Sequence, residues 1–142
     1  MREAEIQHAG GDLIATMHRM LLAAGRTEAP FIRAGKGMVE LGWRTAGGCE
    51  VFAQALSGGE WVLFAAALTA SVILLRNAPV RVLLVEAAEA DDGTLAELLA
   101  AVAAVGDRLT AAVVMTCHAP AVAVDGCTVV EMPAEQRAER AA

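Results

Sequence analysis

Residues 56–60 read Leu-Ser-Gly-Gly-Glu and lead directly into a long apolar run. The first N–H groups of a helix have no partner inside it, and the helix dipole favours negative charge there. Gly58 and Gly59 let a phosphate approach the backbone closely, and Ser57 adds a hydroxyl donor. The stretch, completed by Glu60, therefore predicts an anion-binding helix start. The ordinary structural interpretation is an N-cap in which Ser57 bonds the first turn.

Acidic and imidazole groups follow two further apolar runs. Glu86 ends the run VLLVE, Asp92 lies in the acidic cluster after it, and His118 follows the run TAAVVMT. Ligands of α/β sheets gather beyond the carboxyl ends of the strands, so these groups are expected at one edge. Glu86 could orient or activate water, and His118 could bond a phosphate or that water. The ordinary interpretations are a polar strand end and a satisfied histidine.

The elements that position these residues follow from apolar periodicity and turn signals. A helix is predicted over 12–24, with Asp12 as N-cap, Gly25 at its end and an apolar face lining the core. That face comprises Leu13, Met17, Met20, Leu21 and Ala24. Short apolar pieces between glycine-rich turns predict strands at about 30–33, 38–44 and 50–55.

The second half predicts alternating helices and buried strands. A helix runs from the LSGGE stretch to about Arg76, and a buried strand follows over 80–85. The next helix is capped by Asp91 or Asp92 and runs to about Val105, before Gly106, and a second buried strand covers 110–116. A weak hairpin over 121–132 turns at Asp125-Gly126, and an exposed tail covers 133–142. Strand, helix and strand with continuous apolar strands indicate parallel pairing, whereas the first third indicates antiparallel pairing. The fold class is α/β.

Composition narrows the possible functions. The chain has 142 residues, 56% of them hydrophobic and 4% aromatic, which predicts one domain of modest stability with a partner surface. A net charge of −6 excludes a protein that neutralises nucleic acid by itself. Three cysteines without motif spacing predict buried thiols, a reducing compartment and no metal site. The longest apolar run, 61–75, is shorter than a membrane span, so a buried helix and a cytoplasmic location are expected.

With these motifs in order, residues 30–132 resemble the C-terminal lobe of an ABC-type ATPase head of the SMC and RecF-like branch. In that branch LSGGE is the signature loop, a buried strand ending in Asp-Glu forms Walker B, and a D-loop aspartate and a switch histidine follow. The resemblance implies that Glu86 is the catalytic glutamate, Asp92 the D-loop aspartate and His118 the switch histidine. Residues 1–29 would form an N-terminal helical region.

Two departures from the family pattern bear on activity. The Walker B aspartate falls on Val85; in an alternative register it falls on Glu86, which places the catalytic glutamate at Ala87. The first register keeps the D-loop spacing to Asp92. The sequence also holds no GxxxxGK[ST] phosphate loop, so the Walker A lobe is missing.

The resemblance implies a half-head that works across an interface. In the family, the signature loop contacts the γ-phosphate of ATP held by the opposite P-loop. We therefore expect this lobe to supply Ser57, Gly58, Gly59 and Glu60 in trans to ATP and Mg²⁺ held by a P-loop lobe or subunit, in an ATP-dependent dimer. DNA repair, recombination or chromosome processing is the expected setting, cytoplasmic or nucleoid-associated, with DNA reached only through the assembly. Hydrolysis would need the partner. The alternative is a degenerate, non-hydrolysing module that gates assembly, since one acid is replaced.

Overall fold

The computed structural model describes residues 2–35, 38–76 and 78–132, and within them the side chains of residues 10–33, 38–76 and 78–132. Over these ranges, three α-helices and two small sheets surround a hydrophobic core. In chain order the elements are α1 (Arg2–Ala23), β1 (Ala29–Gly35), β2 (Met38–Arg44), β3 (Glu50–Phe52), α2 (Gly58–Leu75), β4 (Val82–Glu86), α3 (Asp92–Ala103) and β5 (Ala111–Met115). The mixed α/β architecture matches the predicted fold class.

Helix α1 is longer than its sequence predicts. It begins at Arg2, so the predicted N-cap at Asp12 is wrong: Asp12 lies inside the helix. The residues before Gly10 include good helix formers, which carry the helix through a glycine pair that looks like a start signal. The predicted end is correct. Gly25 has a φ of +80°, its N–H bonds the Leu22 carbonyl at 3.0 Å, and the Arg26 N–H bonds the Leu21 carbonyl at 2.9 Å.

The first sheet is antiparallel, as predicted. Strand β1 pairs with β2 over its full length, and β2 pairs with the short β3. The third strand stops at Phe52, and residues 53–55 form a 3₁₀ turn instead of continuing it. Gly42 is required at the centre, because a Cβ there would meet the backbone of Val51 and Phe52. Trp43 on the inner face is 2% exposed and joins the core.

Helix α2 is the central core helix. Its sequence is apolar on nearly every face, and it packs against α1, α3 and β4. The buried residues are Leu63, Phe64, Ala66, Ala67, Ala70, Ser71 and Leu74. By length and composition alone, α2 could also cross a membrane. Among the described residues, 39% of the helix is buried in the protein itself, and this side belongs to the core as predicted. Trp61, Val72 and Leu75 are 40–47% exposed, so the prediction of a wholly buried helix is wrong.

Strands β4 and β5 pair in parallel, with Val82 opposite Ala111 and Glu86 opposite Met115. Helix α3 connects them, so the predicted strand–helix–strand unit is confirmed. The prediction that both strands are buried is wrong. On β4 only Leu83 and Val85 are buried, and on β5 every residue except the half-buried Val114 is exposed.

One face of this sheet is therefore open to solvent. We call it the uncovered sheet face; it comprises Val82, Leu84, Glu86, Ala111, Val113 and Met115. Leu84 is 64% exposed and Met115 is 51% exposed. Parallel sheets normally have both faces covered. The strand composition thus predicts a covering that the described part of the chain does not provide.

Two other predictions are corrected, and a third lies outside the described residues. Residues 121–132 form no strands; only the turn at Asp125-Gly126 is present, with Gly126 at a φ of +82°. A two-stranded hairpin with no sheet to pack on is marginal in water. Cys49, Cys117 and Cys127 are free, as predicted, but exposed instead of buried. The predicted tail over 133–142 lies outside the described residues.

Candidate functional site

The LSGGE stretch forms the start of α2. Ser57 is the N-cap: its hydroxyl oxygen accepts the Glu60 N–H at 3.4 Å, and its own N–H donates to Glu60 Oε2 at 2.9 Å. The Ser57 hydroxyl also donates to Glu60 Oε2, at 2.9 Å. This reciprocal pair is a capping box, so the ordinary structural interpretation of Ser57 holds. The serine is exposed, which leaves its hydroxyl within reach of a ligand.

The bonds to Ser57 also set the charge of Glu60. The Ser57 backbone N–H lowers the pKa of Glu60 most, and the Ser57 hydroxyl and the Arg26 charge lower it further against an opposing effect of burial. Glu60 is therefore a carboxylate at neutral pH. A negative charge in the first turn is stabilised by the helix dipole.

The two glycines of the stretch have different structural roles. A Cβ on Gly59 would lie 2.7 Å from Thr94 Oγ1, so α2 approaches the start of α3 too closely for a side chain. A Cβ on Gly58 would meet nothing within 4 Å. Packing within the chain therefore explains Gly59 and leaves Gly58 facing open space.

The start of α3 carries the predicted D-loop residue. Asp91 is the N-cap, and its Oδ1 accepts the Thr94 N–H at 2.7 Å. That bond is the main reason that the pKa of Asp91 lies below its usual value. Asp92, one residue later, lies 3.1 Å from His118 Nε2 through its Oδ1. The predicted D-loop aspartate and switch histidine are thus in direct contact, and both side chains are exposed to solvent.

Glu86 is the last residue of β4 and belongs to the uncovered sheet face. It lines a shallow groove of about 200 Å³ between β4 and α2, together with Trp61 and Thr69. Val85 points the other way: it is 8% exposed and packs in the core. Ala87, the catalytic position in the alternative register, is 2% exposed.

Two contacts and one shared groove link the predicted site residues. Gly59 contacts the start of α3, Asp92 contacts His118, and Glu86 shares a groove with the residue that follows the LSGGE stretch. The helix starts of α2 and α3 and the carboxyl ends of β4 and β5 therefore converge. Among the described residues, no group of three His, Cys, Asp or Glu side chains is placed to hold a metal ion.

Sequence reasoning missed two residues of this end. Thr94 fixes the spacing between the two helix starts, and Arg26 reaches Glu60 from the end of α1. Thr94 lies three residues after Asp91, the position whose N–H an N-cap aspartate accepts, so the sequence could have indicated its place at the start of α3. Arg26 follows Gly25 without any motif, so its role comes only from the fold.

Comparisons with known proteins support the fold. No protein-family model matches the chain, and no curated protein matches it in sequence. A solved structure from work on the ATP-driven dimerization and DNA-stimulated activation of SMC ATPases matches with a TM-score of 0.64 and 16% identity. The match covers 99% of this chain and 95% of the other. The fold of this chain is therefore similar to that of an SMC ATPase chain of similar size, over nearly the whole length of both.

Proposed function

We propose that this chain is the signature-bearing, C-terminal lobe of an SMC- or RecF-like ATPase head, and that it closes over ATP held by a P-loop lobe. The observation that carries the proposal is the uncovered sheet face, on which Glu86 shares a groove with Trp61, the residue directly after the LSGGE stretch. A parallel sheet with an apolar open face needs further elements to bury it. A P-loop lobe would cover that face and bring its nucleotide to the same end.

The residues at the helix start fit a phosphate. Ser57 offers an exposed hydroxyl, and Gly58 has open space where a Cβ would lie. Turning the hydroxyl toward a phosphate would cost its bond to Glu60 Oε2, but the Ser57 N–H bond would remain. Glu86 and His118 would face the nucleotide of the P-loop lobe that covers the sheet face, to orient the attacking water and to bond the γ-phosphate. Ser57 and Gly58 would contact the nucleotide of the opposite head, and Asp92 would lie at the interface. The described residues hold no metal cluster of their own, so Mg²⁺ would be held by the partner lobe.

The first experiment needs the partner. A P-loop polypeptide encoded beside this chain, or preceding it in a longer product, is purified together with it, and association is measured by sedimentation with and without ATP and Mg²⁺. We expect a dimer of heads only with nucleotide. Ser57→Arg should abolish this dimer, whereas Gln54→Arg, which adds the same charge at an exposed position outside the stretch, should leave it intact. A dimer that persists in Ser57→Arg would contradict the proposal.

The uncovered sheet face is tested separately. Leu84→Glu adds a charge to the face, and Val130→Glu adds one at a residue that is 82% exposed and outside both sheets. We expect the first variant to lose binding to the P-loop lobe even without nucleotide, and the second to bind normally. Equal binding by both variants would show that the face is not the contact.

A second candidate function is supported by Val85. The metal-side acid of Walker B is replaced by a residue that packs in the core. Under this proposal the lobe gates ATP-dependent assembly without turnover. Glu86→Gln distinguishes the two: it abolishes ATP hydrolysis by the assembled head in the first case and changes nothing in the second. A role in DNA repair, recombination or chromosome processing, in the cytoplasm or on the nucleoid, would follow from the assembled head in either case.

A further inference from the structure

Arg26 joins four parts of the chain through one guanidinium group. Its Nε donates to Glu97 Oε2 of α3 at 3.0 Å, and its Nη1 lies 3.6 Å from Glu28 Oε1. The same Nη1 lies 4.0 Å from Glu60 Oε1, at the limit of an ion pair. The group also lies over the ring of Trp43, 5.8 Å from its centroid. One side chain therefore contacts both helices that meet at the candidate site.

The position of Arg26 is fixed by the backbone. Its N–H closes the C-terminal cap of α1 by bonding Leu21, whose side chain is fully buried. The Arg26 side chain is 26% exposed, and the side chains of its three carboxylate partners are between 18% and 34% exposed. A planar fork can hold Glu97 through Nε and the other carboxylates through Nη1 at once, which a lysine ammonium cannot reproduce.

We infer that Arg26 is a positioning residue that couples the end of α1 and the start of α3 to the LSGGE stretch. Its Nη1 lies at the limit of ion-pair distance from Glu60 Oε1, and Glu60 Oε2 accepts hydrogen bonds from both donors of Ser57. A shift of α1 would therefore reach the Ser57 hydroxyl through two charged contacts. This inference rests on the proposed function for its consequence in assembly, but the coupling itself belongs to the chain alone.

The coupling is tested in the full chain without a partner. Arg26→Met keeps the apolar stem and removes the charge, and Arg26→Lys keeps the charge and removes the fork. Arg33→Met is the matched control, because Arg33 also bridges two carboxylates and lies over an aromatic ring, but on the outer face of the antiparallel sheet. The pKa of Glu60 is measured by carbon-detected NMR titration, and the exchange of the Ser57 amide by hydrogen exchange.

We expect Arg26→Met to raise the pKa of Glu60 and to speed exchange of the Ser57 amide about two- to fivefold, the range that a partly exposed ion pair supplies. Arg26→Lys should lie between the parent chain and Arg26→Met, and Arg33→Met should match the parent chain. If Arg26→Met and Arg33→Met give the same Glu60 pKa and Ser57 exchange, the inference is overturned. Should Arg26→Met fail to fold, Glu97→Gln frees the Nε anchor and must speed the same exchange.

The assembly assay separates this inference from the proposed function. If Arg26→Met perturbs Glu60 and weakens ATP-driven association while Arg33→Met does neither, both are supported. If Arg26→Met perturbs Glu60 but the parent chain shows no ATP-driven association, the proposed function fails and the positioning role stands. If the parent chain associates and Arg26→Met changes neither Glu60 nor association, the positioning role alone fails.

Discussion

Replacing Gly59 with alanine places a methyl group against the start of α3. The new Cβ would lie 2.7 Å from Thr94 Oγ1 and 3.1 Å from Thr94 Cγ2. Threonine is branched at Cβ, so rotation about χ1 exchanges one branch for the other without clearing the space. Overpacking of this kind costs about 1–3 kcal/mol. Alanine in place of a helical glycine returns at most about 1 kcal/mol. We therefore expect Gly59→Ala to lower the free energy of unfolding by roughly 0–2 kcal/mol, and to be about 1–3 kcal/mol less stable than Gly58→Ala, which has the same gain without the crowding.

Urea unfolding followed by circular dichroism measures this loss. Gly58→Ala is the control, because its Cβ would meet nothing within 4 Å and should leave stability unchanged or slightly raised. Thr94→Ala removes both crowding atoms and leaves only the Thr94 Cβ, 3.5 Å from the new methyl group. In the double variant the cost of Gly59→Ala should therefore largely disappear. Equal stability of Gly59→Ala and Gly58→Ala, or an undiminished cost beside Thr94→Ala, would refute the packing argument.

Three other changes have defined outcomes. Glu60→Ala should lower the free energy of unfolding by about 1 kcal/mol at neutral pH, because it removes the capping box. The pKa of Glu60 is lowered in the folded state, so the stability that Glu60 contributes is present above its unfolded pKa and is lost as pH falls through its folded pKa. The urea midpoints of the variant and the parent chain should therefore converge in acid. Leu83→Ala, at a fully buried position, should cost about 2–5 kcal/mol, whereas Leu84→Ala, at a 64% exposed position, should change urea stability by less than about 1 kcal/mol. His118→Gln should weaken stability, measured by urea unfolding, by at most about 1 kcal/mol, because its contact with Asp92 is exposed.

Much of the fold could be predicted because local chemistry and fold agree. Gly25 ends α1 where its left-handed conformation is needed, and the Ser57–Glu60 spacing starts α2. The apolar runs around Leu83 and Val113, separated by a helix, predict a parallel strand pair, which the structure confirms. The start of α1 was missed because a glycine pair and an aspartate imitate a helix start inside a longer helix.

Burial of the sheet could not be predicted for the chain alone. Val82, Leu84 and Val113 have the composition of strands covered on both faces, yet they are exposed. The apolar composition of a strand indicates that its side chains are buried in the functional assembly. The surface that buries them can lie outside the described residues. The contacts of Arg26 were equally hidden, since Glu97 lies 71 residues away along the chain. The roles assigned to Ser57, Glu86, Asp92 and His118 stay predictions until the partner lobe is tested.

The exposed strands also affect the solubility of the chain. Each strand of the parallel pair has one neighbour among the described strands, so each leaves an edge able to pair with other chains. Between Arg81 and Glu86, β4 carries only aliphatic side chains. Aliphatic strands with an unpaired backbone edge favour aggregation. If the proposed P-loop lobe covers this sheet, soluble yield should rise steeply when the two are co-expressed, and chain made in excess should be degraded by cellular proteases.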